Sequence, residues 1–218
     1  MTVVAVRGEA VREVDPELAE FTVVVAARDK DRQATLTRLR ERSDALRALL
    51  DRHGEAIERR ETSGLHVHPE TAKKGEKVTA YSGTVATTVV VHDFSALGEL
   101  MLTLANQDQT HLNGPVWSLR PDSPVFRAVR RDAVADAIAR GKEYADALGA
   151  QVVELLELAD PGLGRGSESF GQSFQTYDLA AKSRGAYGGG PALELDPQRQ
   201  RVRAEVEARF TVTTPTAL

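Results

Sequence analysis

The chain has no cysteine. Disulfides, thiolate nucleophiles and zinc–thiolate sites are therefore excluded, although the compartment is only weakly constrained. Aromatic residues make up 5% of the chain, with a single tryptophan, so a base-stacking platform for nucleic acid has little to be built from. Neither sign of charge dominates: 28 Lys and Arg stand against 32 Asp and Glu, a formal net charge of -4, and no basic field draws the chain towards nucleic acid or anionic lipid. No stretch approaches the roughly 18 apolar residues of a membrane span. The opening "MTVVAVRGEAVREVDPE" lacks the basic leader and apolar run of a signal peptide. The expectation is a cytoplasmic chain with no membrane span and no nucleic-acid partner.

What is present is patterned. With 41% hydrophobic residues in 218, the chain can bury a substantial core, and one domain over 1–218 is expected. Val3 to Arg7 reads as a short strand, with Gly8 and the later Asp15-Pro16 marking the turn region after it. Leu18 to Ala27 is β-branched on both faces and reads as a buried strand. A helix follows from about Lys30 to Arg52, with Leu36, Leu39, Leu46, Leu49 and Leu50 on one stripe. Asp29 or Asp31 caps its start, and Gly54 fits a left-handed stop. Strands at Ala56 to His68 and Val78 to Val91 flank the polar hairpin loop "PETAKKGEK".

Asp93 or Ser95 opens a second helix bearing Leu97, Leu100, Met101 and Leu104, and a strand around His111 to Leu119 has Trp117 as its anchor. Ser123-Pro124 opens a third helix that Gly149 closes. Along it Ala133, Ala137, Gly141 and Ala145 recur every four residues on one stripe, where only a very close neighbour fits. Val152 to Leu158 is a strand. The last strand, Arg199 to Val212, turns Val202, Ala204, Val206, Ala208 and Phe210 to one face and Arg201, Arg203, Glu205, Glu207 and Arg209 to the other.

From Leu18 to Leu119 the order strand, helix, strand, strand, helix, strand is the split βαβ pattern. The predicted class is α+β: a largely antiparallel sheet with helices mainly on one face, containing a split βαββαβ unit plus an added helix and strands. Residues 160–197 break this regularity with a long Gly/Ser-rich loop. Phe170, Phe174, Tyr177 and Tyr187 within it argue against a bare linker and make it a candidate interaction loop.

Several stretches in order, "VAVRGEA", Asp15-Pro16, "LLDRHGEAIERRETSGLHVHP", "YSGTVATTVVVHDFSALGELM", "AVADAIARGKEYADALGA" and "RVRAEVEARFTV", resemble the SIMPL domain family over essentially the whole chain. The resemblance implies a non-enzymatic protein of poorly defined biochemistry. Some bacterial relatives build ring-like or channel-like homo-oligomers, some are linked to tolerance of oxidative stress, and the animal namesake is an adaptor near a kinase. It supplies no catalytic residue and no cofactor.

The residues themselves offer few chemical constellations. His66 and His68 in "HVHPE" lie at i and i+2 of a strand, on one face, and form a candidate metal pair with Glu70 as a third ligand and His111 or His92 as distant helpers. Two histidines on a wet strand face is the bland alternative. There is no G-x-S-x-G elbow, and "GRGSESFG" lacks the lysine of a phosphate-binding loop. Asp132 and Asp136 sit one helical turn apart among Arg131, Arg140 and Lys142, which reads as a solvated face. Arg199, Arg201 and Arg203 share a strand face with Glu205 and Glu207, which reads as a mixed-charge ladder. Arg38, Arg40, Arg42 and Arg47 are offset by Glu41, Asp44 and Asp51. Two functions follow: a self-assembling or adaptor protein with homo-oligomeric or other protein partners, or a small-ligand or metal binder or enzyme near His66 and His68.

Overall fold

A computed structural model describes residues 2–72, 77–164 and 193–217. The elements run β1 (Thr2–Val14), β2 (Leu18–Asp29), α1 (Arg32–Arg52), β3 (Ile57–Thr71), β4 (Val78–Val91), α2 (Leu97–Ala105), β5 (Thr110–Ser118), α3 (Pro124–Ala147), β6 (Val152–Ala159) and β7 (Gln200–Val212). All strand pairs are antiparallel, and the α+β class stands. The strands divide between two sheets, of order β1-β7-β6 and β3-β4-β2-β5. Their contacts gather into two compact units, β1, β6, β7 and α3 in one and the remaining elements in the other.

The second sheet is the split βαβ unit: β4 lies between β2 and β3, and β5 pairs with the free side of β2. Alternation along β2 sends Ala19, Phe21, Val23 and Val25 into a core with Val89 and Val91 of β4, Leu46 and Leu50 of α1, and Leu97, Leu100 and Leu104 of α2. Asp31 is the cap of α1, its carboxylate accepting the Ala34 N–H at 2.8 Å, so the helix begins at Arg32. Gly54 does not supply a left-handed stop. His53 ends the helix at φ -107°, and the Gly54 N–H turns back to the Asp51 carbonyl at 3.3 Å.

In the first unit β1 pairs with β7 along its whole length, Thr2 with Val212 through Val14 with Gln200. Gly8, expected in a turn, is therefore a mid-strand residue opposite Val206. Its lack of a side chain serves packing: a Cβ there would lie 2.1 Å from the Ala133 carbonyl oxygen and 2.6 Å from the Ala137 nitrogen. A Cβ on Gly141 would lie 2.8 Å from the Phe210 ring. The small stripe of α3 is thus where β1 backbone and the β7 phenyl ring press against the helix, and Ala133, Ala137, Gly141 and Ala145 are all buried. Ser123 caps α3 with Pro124 in its first turn, and Gly149, at φ +65°, ends it in the left-handed conformation as expected.

Candidate protein-docking edge

The buried stripe of α3 repeats every four residues, so the residue before each buried position lies on one flank and the residue after it on the other. Asp132, Asp136 and Arg140 form the flank above β1. The Asp136 carboxylate accepts the Glu9 backbone N–H at 2.9 Å, and Arg140 donates to the Arg7 carbonyl at 2.9 Å. These are groups on the edge of β1 that β7 does not use. Asp136 and Arg140 also pair with each other at 3.2 Å, and Asp132 holds Arg12 at 2.6 Å. The Asp132 hydrogen bond, then its charge, raises the Arg12 pKa. An unpaired strand edge is a template for another chain, and here helix side chains close it.

The opposite edge is built differently. β6 reads "VVELLELA", apolar, apolar, glutamate, a period of three that strict alternation cannot accommodate. Two register shifts, between Val152 and Glu154 and between Leu155 and Glu157, absorb the extra residues. Val152, Leu155 and Leu158 then fall opposite Val212, Phe210 and Ala208, on the helix side, while Glu154 and Glu157 fall opposite Thr211 and Arg209. Because α3 lies over β1 and β7, β6 extends past its cover. Val153, Leu155, Leu156 and Leu158 are 64%, 48%, 49% and 46% exposed. On the second flank of α3, Ile138 is 41% exposed beside the half-buried Val134. Exposed apolar residues grouped on one strand make β6 a candidate interaction surface.

On the outer face of the same sheet the expected charge ladder is present. Arg203 reaches Glu205 at 2.7 Å and Glu9 at 2.9 Å, Arg7 reaches Glu207 at 3.2 Å, and Arg209 reaches Glu157 at 3.8 Å. Asp132 and Asp136 are engaged with separate arginines, Arg12 and Arg140.

His66 and His68 are both exposed on one face of β3, opposite Thr84 and Ser82. The His66 ring leans over Gly64, its Nε2 3.4 Å from where a Cβ would stand. His68 lies on the other side, near Glu70. Arg28 binds Glu70 through two nitrogens, at 2.7 and 2.9 Å, and this hydrogen bonding holds the carboxyl below its ordinary range, helped by the charges of Arg28 and His68. His111, opposite Val24 in β5, is separated from β3 by β2 and β4. Among the described residues no three His, Asp or Glu side chains gather as a metal site. A recess of about 330 Å³ nearby is lined by Arg28, Asp29, Lys30, Thr79 and Ala80. Phe170, Phe174, Tyr177 and Tyr187 lie outside the described residues.

The sequence from residue 4 to residue 210 matches the SIMPL family model, described as a protein of unknown function (DUF541). The chain belongs to the SIMPL family. It is 30% identical over 176 residues, 72% of this chain and 67% of the relative, to the 26 kDa periplasmic immunogenic protein of Brucella melitensis biotype 1. The protein of the same name from Brucella abortus strain S19 aligns to the same extent. Among the described residues of this SIMPL protein, no helix is long and apolar enough to cross a membrane.

What sequence reasoning missed was the exposed apolar edge at β6: the three-residue periodicity of "VVELLELA" signals the two bulges, but not that α3 stops short of covering the strand.

Proposed function

We propose that this SIMPL protein is non-enzymatic and works through contacts with other protein chains, as a self-assembling or adaptor-type module over residues 1–218. One observation carries the reading: the three-stranded sheet has one edge closed by Asp136 and Arg140 and the other left apolar at β6. A chain that seals one edge and leaves leucines exposed at the other has a surface suited to burial by a partner. The aromatics Phe170, Phe174, Tyr177 and Tyr187, in the segment that follows β6, belong to the same proposal as a second contact region.

Native mass measurement and light scattering of the full chain test it, together with co-purification of untagged by tagged chain. Assembly is expected, weakened when residues 165–192 are deleted. A strictly monomeric particle at micromolar concentration that captures no protein would refute it. A role in oxidative-stress tolerance, implied by the family resemblance, would appear as loss of survival in cells carrying the dissociated variant.

For the compartment, the cytoplasmic reading rests on the first residues alone, whereas the named Brucella relatives are periplasmic. A cysteine-free chain folds in either compartment, and cell fractionation decides between them.

A further inference from the structure

We propose that the strip between α3 and β6 takes an amphipathic helix of a different protein, its apolar stripe on β6 and its carboxylates on the arginines of α3. The inference rests on the protein-contact reading above and names the chemistry of the partner. The floor of the strip is apolar: Ile138, Leu155 and Leu158 are each more than two-fifths exposed, beside the half-buried Val134. Its size suits a helix. Strands lie about 4.8 Å apart and a helix with its side chains is about 10 Å across, so one helix covers two strands, here β1 and β7. A second helix over β6, about 8–10 Å from α3, completes the layer. Extension of the sheet from β6 is the other mode, and the two bulges interrupt the ladder it needs.

The charge of the helix border selects the partner. The residues that follow the buried positions of α3 form the row Arg130, Val134, Ile138 and Lys142, ending at Asp146, and Arg127 and Arg131 stand in the next row. Arg127, Arg130, Arg131 and Lys142 are exposed, and among the described residues none of them pairs with a carboxylate. Glu154 and Glu157 do not compensate them, since both lie on the other face of the sheet, opposite Thr211 and Arg209. Asp132 and Asp136 stand on the far flank and hold Arg12 and Arg140. Nor do the three arginines serve the helix. They crowd its first two turns, where the macrodipole disfavours cations, and its first turn has no acidic residue. An apolar floor beside unpaired cations is matched by a leucine-type stripe flanked by Asp or Glu. The described helices of a second copy do not supply it: basic residues outnumber acidic ones in α1 and α3, and the apolar stripe of α2 is buried.

The test uses the full chain and three labelled helical peptides of equal length, read by fluorescence anisotropy. One has leucines at i, i+3, i+4 and i+7 flanked by glutamates, one has the same stripe flanked by lysines, and one keeps the glutamates with serine in place of leucine. The glutamate–leucine peptide is expected to bind in the micromolar range, about ten-fold or more tighter than the other two. Its advantage over the lysine peptide should shrink as salt rises from about 50 to 500 mM. Arg130→Glu with Arg131→Glu is expected to reverse the preference in favour of the lysine peptide, and Leu158→Lys to abolish binding. Arg40→Glu on α1, the same reversal elsewhere, should change nothing, and circular dichroism confirms that each variant keeps its fold. No binding of the glutamate–leucine peptide, equal affinity for the lysine peptide, a preference that survives the double reversal, or binding of phosphatidylglycerol vesicles in place of the peptide overturns this inference. Native mass measurement and co-purification judge the protein-contact reading separately, and a chain that is monomeric and captures no protein removes that reading itself.

Discussion

The carboxylate of Asp136 and the backbone N–H of Glu9 meet at 2.9 Å, a helix side chain filling the place of a missing neighbouring strand. With Arg140 on the Arg7 carbonyl, it satisfies backbone groups that would otherwise invite another chain. Asp136→Ala is expected to lower the stability of the β1/β7 unit by about 1–2 kcal/mol, the scale of a lost charged hydrogen bond. Asp136→Asn keeps an acceptor and should lose less. Urea unfolding reads the stability and light scattering the new edge; an alanine variant as stable and as soluble as the parent would show that the contact seals nothing.

Two glycines under the small stripe should respond unequally to the same added methyl group. At Gly8 the methyl meets helix backbone, which no rotamer change can move, so Gly8→Ala should cost more than about 3 kcal/mol or leave α3 undocked. At Gly141 it meets the Phe210 ring, and overpacking of about 1–3 kcal/mol is offset by the roughly 1 kcal/mol that alanine gains over glycine in a helix. A net loss near 1 kcal/mol is expected. Equal effects in thermal unfolding would contradict the different neighbours assigned to the two positions.

How far the chain could be read in advance follows from which contacts are local. Val202, Val206, Ala208 and Phe210 alternate within β7, and the α3 stripe repeats within one helix, so both declare their faces without knowledge of their partners. The split βαβ order was legible for the same reason. Gly8 was not, because glycine as a turn residue and glycine beneath a helix look alike until the helix, more than a hundred residues later, is placed over it. The division into two sheets was hidden too, since β1 finds its partner β7 at the far end of the chain. As for the apolar edge at β6, Val152 to Leu158 was recognisable as a strand, but its exposure depends on how far α3 covers the sheet.

The Arg28–Glu70 pair should leave a mark on the acid side of the stability profile. Its hydrogen bonds depress the folded carboxyl below the ordinary 4.5, so the contribution is fully present above that value and is lost as pH falls through the depressed one. The stability difference between wild type and Arg28→Gln should therefore be constant near neutrality and shrink below about pH 4.5. The Glu70 carboxyl carbon, followed by NMR, should titrate at higher pH in the variant. A difference that survives undiminished at about pH 3 would mean that Arg28 acts through packing of its stem instead.

The same arginine decides what His66 and His68 can do. Zinc sites need three or four protein ligands, and here the third side chain on the face, Glu70, is held at 2.7 Å by Arg28 while the His66 ring is turned over Gly64. Wild type is therefore expected to gain little thermal stability from zinc, and His68→Ala to change that little. Arg28→Gln frees the carboxylate, and with His66, His68 and Glu70 on one strand face the zinc-dependent rise should increase, then fall back when His68→Ala is added. Calorimetric titration checks the order of the four affinities. Tight zinc binding by wild type that vanishes with His66→Ala would mean that the ring swings towards His68 and that the pair is a metal site in its own right.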